Sequence, residues 1–225
     1  ERAVVWIIFL LAALPAWLRG GTHAPWTQPV LVFAIAAFLA LVGLSWARRR
    51  KSGTGDSSGS FVNLRDPVFW IGAAFLLLLV LQWWNAGRVL FYDTTSKAWA
   101  YSPPRHAGWP SAVTSMEARQ MLDWFVPAWV ILVAIRSPGF SAAAVRRVWR
   151  LLVFNAALLS LFGIVQFVSG TTRMYWLVQM RPHFFASFGY PNHAGSYFLM
   201  TMCMAAGLLA HDIGPAGGFA RWARR

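Results

Sequence analysis

The residues best suited to chemistry lie in one stretch, RPHFFASFGYPNHAGSYFLM, which begins at Arg181 and runs into an uninterrupted apolar segment. Pro191 and Asn192 stand just before that segment. Asn192 is therefore the expected N-cap of a helix, and the backbone N–H groups after it form the positive end of a helix dipole. Such an end attracts phosphate. His193 follows at once, and Gly189 relieves the steric limits of the turn. Arg181, eleven residues before Asn192, brings a permanent charge and a planar fork suited to phosphate oxygens. Arg173 is a second cation of the same loop. Together these residues suit an anion site for a lipid-linked diphosphate. They also fit a plainer account, in which Arg181 reaches lipid headgroups and Gly-Tyr-Pro-Asn is only a turn.

The elements that position this stretch are apolar spans. With 58% hydrophobic and 12% charged residues, the chain departs far from the roughly 45–50% and 25% of soluble domains. Crossing ~30 Å of hydrocarbon takes about 20 apolar residues at 1.5 Å each. Six such runs occur, near residues 3–18, 26–46, 67–85, 115–136, 151–169 and 194–211. The first is short and carries Pro15. It lacks a small-x-small cleavage pattern and a second span follows almost at once, which argues against a signal peptide. The expected fold is an all-α polytopic membrane protein of about six transmembrane helices.

A net charge of +13 in a soluble protein would suggest nucleic acid, but here the cations sit in short loops between spans, so no nucleic-acid partner is expected. Thirteen of the 20 Lys and Arg fall at the N-terminus, in the second and fourth loops and in the C-terminal tail. Arg48, Arg49, Arg50 and Lys51 carry most of that bias. The positive-inside rule then places both ends in the cytoplasm and loops one, three and five outside. Many of the 14 Trp lie near span ends, as interfacial belts require.

Between spans two and three, KSGTGDSSGS reads as a flexible connector. The third loop, 86–113, is rich in Pro and aromatic residues and suits the membrane surface. Thr114 and Glu117 form a capping box for the fourth helix, which carries Pro127, and Asp123 is expected near the outer interface. Residues 141–150 start like a helix that feeds into the fifth span. With Asp123 at the interface, no charged side chain lies deep in a span, which disfavours an ion-coupled transporter. His23, His106, His183 and His193 lack i, i+4 pairing and adjacent carboxylates, so no metal site is expected. The lone Cys203 permits no internal disulfide.

LFGIVQFVSG, then Arg181, then SFGYPNHAGSYF resemble, in order and spacing, the O-antigen ligase and O-antigen polymerase superfamily of bacterial envelope glycan transferases. In that family a span ending in a Phe-Gly-x-x-Gln-Phe pattern leads to an outer loop with Arg, then a Phe-Gly-Asn-Pro-Asn turn and the next span. Tyr190 stands where the family often has Asn. The match covers roughly residues 151–209, and the Gly20-to-Trp26 turn is similar too. The expected organisation is residues 1–150 as N-terminal helices one to four, and 151–225 as the start of the ligase-like region.

The resemblance implies a multi-span bundle similar to the GT-C glycosyltransferases, of which this chain is the N-terminal half. It implies an inner-membrane enzyme of lipopolysaccharide or other cell-envelope polysaccharide biosynthesis. An undecaprenyl-diphosphate-linked glycan would pass at the periplasmic face to a glycan, lipid A core or protein acceptor. Arg181 would stabilise the leaving diphosphate, with Asn192, His193, Gly189 and Arg173 around it. The family's catalytic histidine lies in a later loop beyond this chain, so no catalytic residue is assigned. Metal-dependent relatives of the fold use carboxylates in the first outer loop. RGGTHAPW has none, so no cofactor is expected. A lipid-linked glycan flippase and a non-catalytic membrane assembly subunit are the alternatives.

Overall fold

The computed structural model describes residues 1–18, 24–52, 62–87, 90–180 and 184–213. Within them lie six helices: α1 (Arg2–Trp17), α2 (Ala24–Ser52), α3 (Pro67–Asn85), α4 (Ser115–Ile135), α5 (Ala142–Val168) and α6 (Pro191–Ile213). Five are long and apolar enough to cross a membrane. At 16 residues, or about 24 Å, α1 falls short of the ~30 Å hydrocarbon width. Large apolar side chains stand exposed along the long helices, among them Val32, Leu39, Ile71, Leu77, Phe154 and Leu161. Such continuous apolar surface has no place in water and fits lipid. The chain is an all-α polytopic membrane protein.

Packing divides the chain into two compact units, Glu1–Trp26 with Gly139–Arg225, and Thr27–Pro138. Within the first unit α1 packs against α5, far from it in sequence.

In the first unit α1 and α5 run in the same direction. Their N-termini meet where the Glu1 carboxylate accepts from the Ser141 N–H at 3.2 Å and from its hydroxyl. Further along, the Trp17 indole donates to Asn155 Oδ1 at 2.9 Å, and Asn155 Nδ2 donates to the Tyr197 hydroxyl of α6 at 2.9 Å. One face of α1, including Val4, Ile8 and Leu11, is buried. Ser141 caps α5 by accepting from the Ala144 N–H at 3.2 Å, so a single helix includes both the basic 141–150 segment and the fifth span. Antiparallel α6 returns its Asp212 to Arg150 at 3.5 Å.

In the second unit α3 and α4 are antiparallel. Asp66 caps α3, accepting from the Val68 N–H at 3.0 Å with Pro67 as the first helical residue. The same carboxylate takes both arms of Arg136 from the end of α4, at 2.5 and 3.2 Å. Gly72 lets Trp129 approach the α3 backbone, since a Cβ there would run into the indole. Thr114 caps α4 by accepting from the Glu117 N–H at 3.3 Å, which is the threonine half of the expected capping box. Asp123, expected near the outer interface, is enclosed at 3% exposure and accepts from the Thr27 hydroxyl at 2.6 Å. Helix α2 supplies that hydroxyl and covers a carboxylate that the sequence of α4 alone leaves open.

Two short antiparallel hairpins interrupt the helical pattern. The third loop carries β1 (Leu90–Asp93) against β2 (Ala98–Tyr101), and the fifth carries β3 (Arg173–Met174) against β4 (Val178–Gln179).

Candidate functional site

The loop between α5 and α6 folds back onto the end of α5 and the end of α1. Two residues of the LFGIVQF segment make this possible. A Cβ on Gly163 would stand 2.6 Å from the Phe185 ring and 3.1 Å from the Ala186 Cβ, so only glycine admits the loop at this distance. Gln166, three residues on and so on the same helix face, is 2% exposed. With its amide oriented to suit both neighbours, it donates to the Ala186 carbonyl at 3.0 Å and accepts from the Tyr175 N–H at 2.7 Å.

Both partners need such restraint. Tyr175 and Ala186 hold positive φ values of 56° and 51°, and Trp176 holds 59°. Side chains with a Cβ adopt that region at a cost of about 1–3 kcal/mol each, so surrounding contacts must impose it. Tyr175 and Trp176 are the two central residues of the β3–β4 turn. Phe162 packs on both rings, at centroid distances of 5.4 and 5.8 Å.

Hydroxyls from the loop cap the end of α1. Ser187, wholly buried, donates to the Ala16 carbonyl, and the Tyr175 hydroxyl donates to the Trp17 carbonyl. Carbonyls of a last helical turn lack partners within the helix, so these bonds complete it. Burial pushes the Tyr175 phenol above its ordinary pKa, which keeps it protonated as a donor. Ala16, Leu159, Ala186, Phe188 and Ala194 form the apolar cluster beneath.

Between the end of α5 and this docked loop lies a cavity of about 410 Å³. Its lining includes Gln166, Phe167, Thr171, Gln179, Met180 and Phe184. The wall offers amides and hydroxyls against aromatic and thioether surface, a mixture that can orient a polar group beside an apolar one. The described residues lining it carry no formal charge.

Arg181 lies outside the described residues, although Met180 before it and Phe184 shortly after it both line the cavity. Gly189 sits beside the lining, since a Cβ there would stand 3.0 Å from the Met180 methyl. Arg173, Asn192 and His193 are exposed and do not line it. Asn192 is not the N-cap. Helix α6 begins at Pro191, which puts Asn192 inside the first turn. The His193 and Ala194 N–H groups turn back on the Tyr190 carbonyl at 3.2 and 3.4 Å, and Pro191 has no N–H to give. Fewer donors therefore remain at this helix end than the sequence suggests. The His193 ring packs edge-on against Tyr190 at 5.6 Å. Gln166, Tyr175 and Ser187 had no assigned role in the sequence, and the spacing of Gly163 and Gln166 was their only local signal.

Among the described residues no three His, Cys, Asp or Glu side chains converge as metal ligands. No protein-family model, no curated protein and no solved structure matches this chain.

Proposed function

We propose that the chain forms the donor-binding part of a transferase that moves an undecaprenyl-diphosphate-linked glycan to an acceptor at the periplasmic face of a bacterial inner membrane. The observation that carries this reading is the meeting of the two motif segments around one cavity. Gly163 and Gln166 of LFGIVQF hold Phe185 and Ala186, which lead into SFGYPN, and Arg181 follows directly on the cavity-lining Met180. The chemistry of the wall suits an isoprenoid-linked, sugar-bearing ligand. Arg181 supplies the charge that a departing diphosphate needs, and its planar fork suits two phosphate oxygens.

The test is glycan transfer in cells lacking the wild-type gene, with protein level followed by immunoblot. Arg181→Ala abolishes transfer, and Arg181→Lys, which keeps the charge without the fork, remains strongly impaired. Transfer by Arg181→Ala at the wild-type rate overturns the assignment.

A second reading, transport of the lipid-linked glycan, draws on Asp123. This carboxylate is buried in a membrane-spanning helix, and its Oδ1 has no hydrogen-bond partner among the described residues. Buried ionisable groups in spans mark ion pathways. Dependence of glycan translocation on Asp123, with transfer intact in Asp123→Asn, would favour it.

A further inference from the structure

At the opposite end of the first unit from the outer-loop cavity, α1 and α5 enclose a cleft of about 390 Å³ lined by Arg2, Val5, Trp6, Arg147, Arg150 and Leu151. We propose that this cleft binds the headgroup and upper acyl chain of an anionic phospholipid.

The side chains are ordered along the helix axes as a lipid is. Arg2, Arg147 and Arg150 are exposed at the mouth, and their guanidinium forks match phosphate oxygens. Trp6, 52% exposed, stands one turn further in, at the depth a glycerol backbone would take. Val5 is buried and Leu151 half-buried, and Leu151 opens the uncharged run of α5. Below the arginines the floor is thus apolar, which suits a chain and wastes nothing on a free ion.

Two neighbouring acids offset part of the positive charge and leave the three arginines in excess. The Glu1 carboxylate is held below the usual carboxylate range chiefly by the Ser141 hydroxyl and N–H, and to a lesser degree by the charge of Arg147. Asp212 meets Arg150 at 3.5 Å, but both side chains are more than half exposed, and such a pair contributes little. The N-termini of α1 and α5 lie together here and add their positive dipole ends. Basic clefts between membrane helices are well suited to anionic headgroups in this way.

The 225-residue chain, purified in detergent, is titrated with phosphatidylglycerol, phosphatidylcholine or inorganic phosphate, and bound adducts are counted by native mass spectrometry. Phosphatidylglycerol binds at least about tenfold tighter than phosphatidylcholine, whose quaternary ammonium cancels the charge of its phosphate. Arg2→Gln and Arg147→Gln each weaken phosphatidylglycerol about fivefold, and the double variant about twenty-fivefold. Both residues are exposed, so packing is preserved, and Arg147→Lys, which keeps the charge, loses less than Arg147→Gln. Trp6→Ala weakens the lipid and leaves inorganic phosphate unchanged. Equal binding of the two lipids, or unchanged binding by the double variant, overturns the proposal. Inorganic phosphate binding as tightly as phosphatidylglycerol also overturns it, by making the site one for the free anion.

Discussion

Two buried amides, one in each unit, do the same work at the end of a helix. Gln166 near the end of α5 holds Tyr175 and Ala186. Asn85, fully buried at the end of α3, accepts from the His106 N–H at 2.7 Å and donates to the His106, Trp109 and Pro110 carbonyls at 3.0–3.3 Å. In each case a short polar side chain satisfies backbone groups that the following loop brings out of water. Replacing either by Leu strands those groups, at about 1–3 kcal/mol for each one left unpaired. Gln166→Leu is expected to lower thermal stability in detergent and to speed proteolysis between residues 170 and 190, while Asn85→Leu speeds it between 102 and 112. Tyr175→Phe leaves the Trp17 carbonyl unpaired at a similar cost of about 1 kcal/mol. Because the folded phenol titrates above its unfolded value, that bond is fully present below about pH 10 and is lost only as pH rises through the folded pKa. Cleavage of Gln166→Leu at the wild-type rate would show that the amide does not restrain the loop.

Among the elements, the α3–α4 pair depends on a contact at each level. Asp66 serves as helix cap and as ion-pair partner at once, and Gly72 admits Trp129, whose indole donates to the Phe69 carbonyl at 3.3 Å. The Arg136 guanidinium beside Asp66 holds its carboxyl below the usual range. A depressed folded pKa adds stability above the unfolded value near 4, and that stability is lost as pH falls through the folded pKa. Asp66→Asn keeps an oxygen for the Val68 N–H and loses only the charge. Its melting temperature is expected below wild type at pH 5–8 by a constant margin that narrows below about pH 4. A margin that instead widens in acid would remove the ion pair from the account. Pro67 and the run to Asn85 made α3 legible in the sequence at both ends, because its cap and its stop are local. The partner of Asp66 was not, since Arg136 lies 70 residues away.

For the whole molecule, each unit has a charged end and a loop-bearing end. In the first, Arg2, Arg147 and Arg150 gather at one end and the docked fifth loop at the other. In the second, Arg136 with Asp66 marks one end and Asn85 with its loop the other. The positive-inside rule predicts a cytoplasmic side for these charged ends. Periplasmic reporters fused after Pro104 and Arg173 are therefore expected to be active, and one fused after Gly53 inactive. The reverse result at any of the three would overturn this topology.

By itself the sequence determined the class of the protein, five of its spans and the cap of α4, because long apolar runs and capping pairs act within a few residues of themselves. It also placed Gly163 and Gln166 in one motif without saying what they touch. The tertiary structure alone decided that α1 packs with α5, and that Thr27 encloses Asp123. It also moved the start of α6 ahead of Asn192. Each of these depends on which faces meet across the chain: a buried amide or carboxylate takes whatever partner packing brings within 3 Å, and no local pattern records that distance.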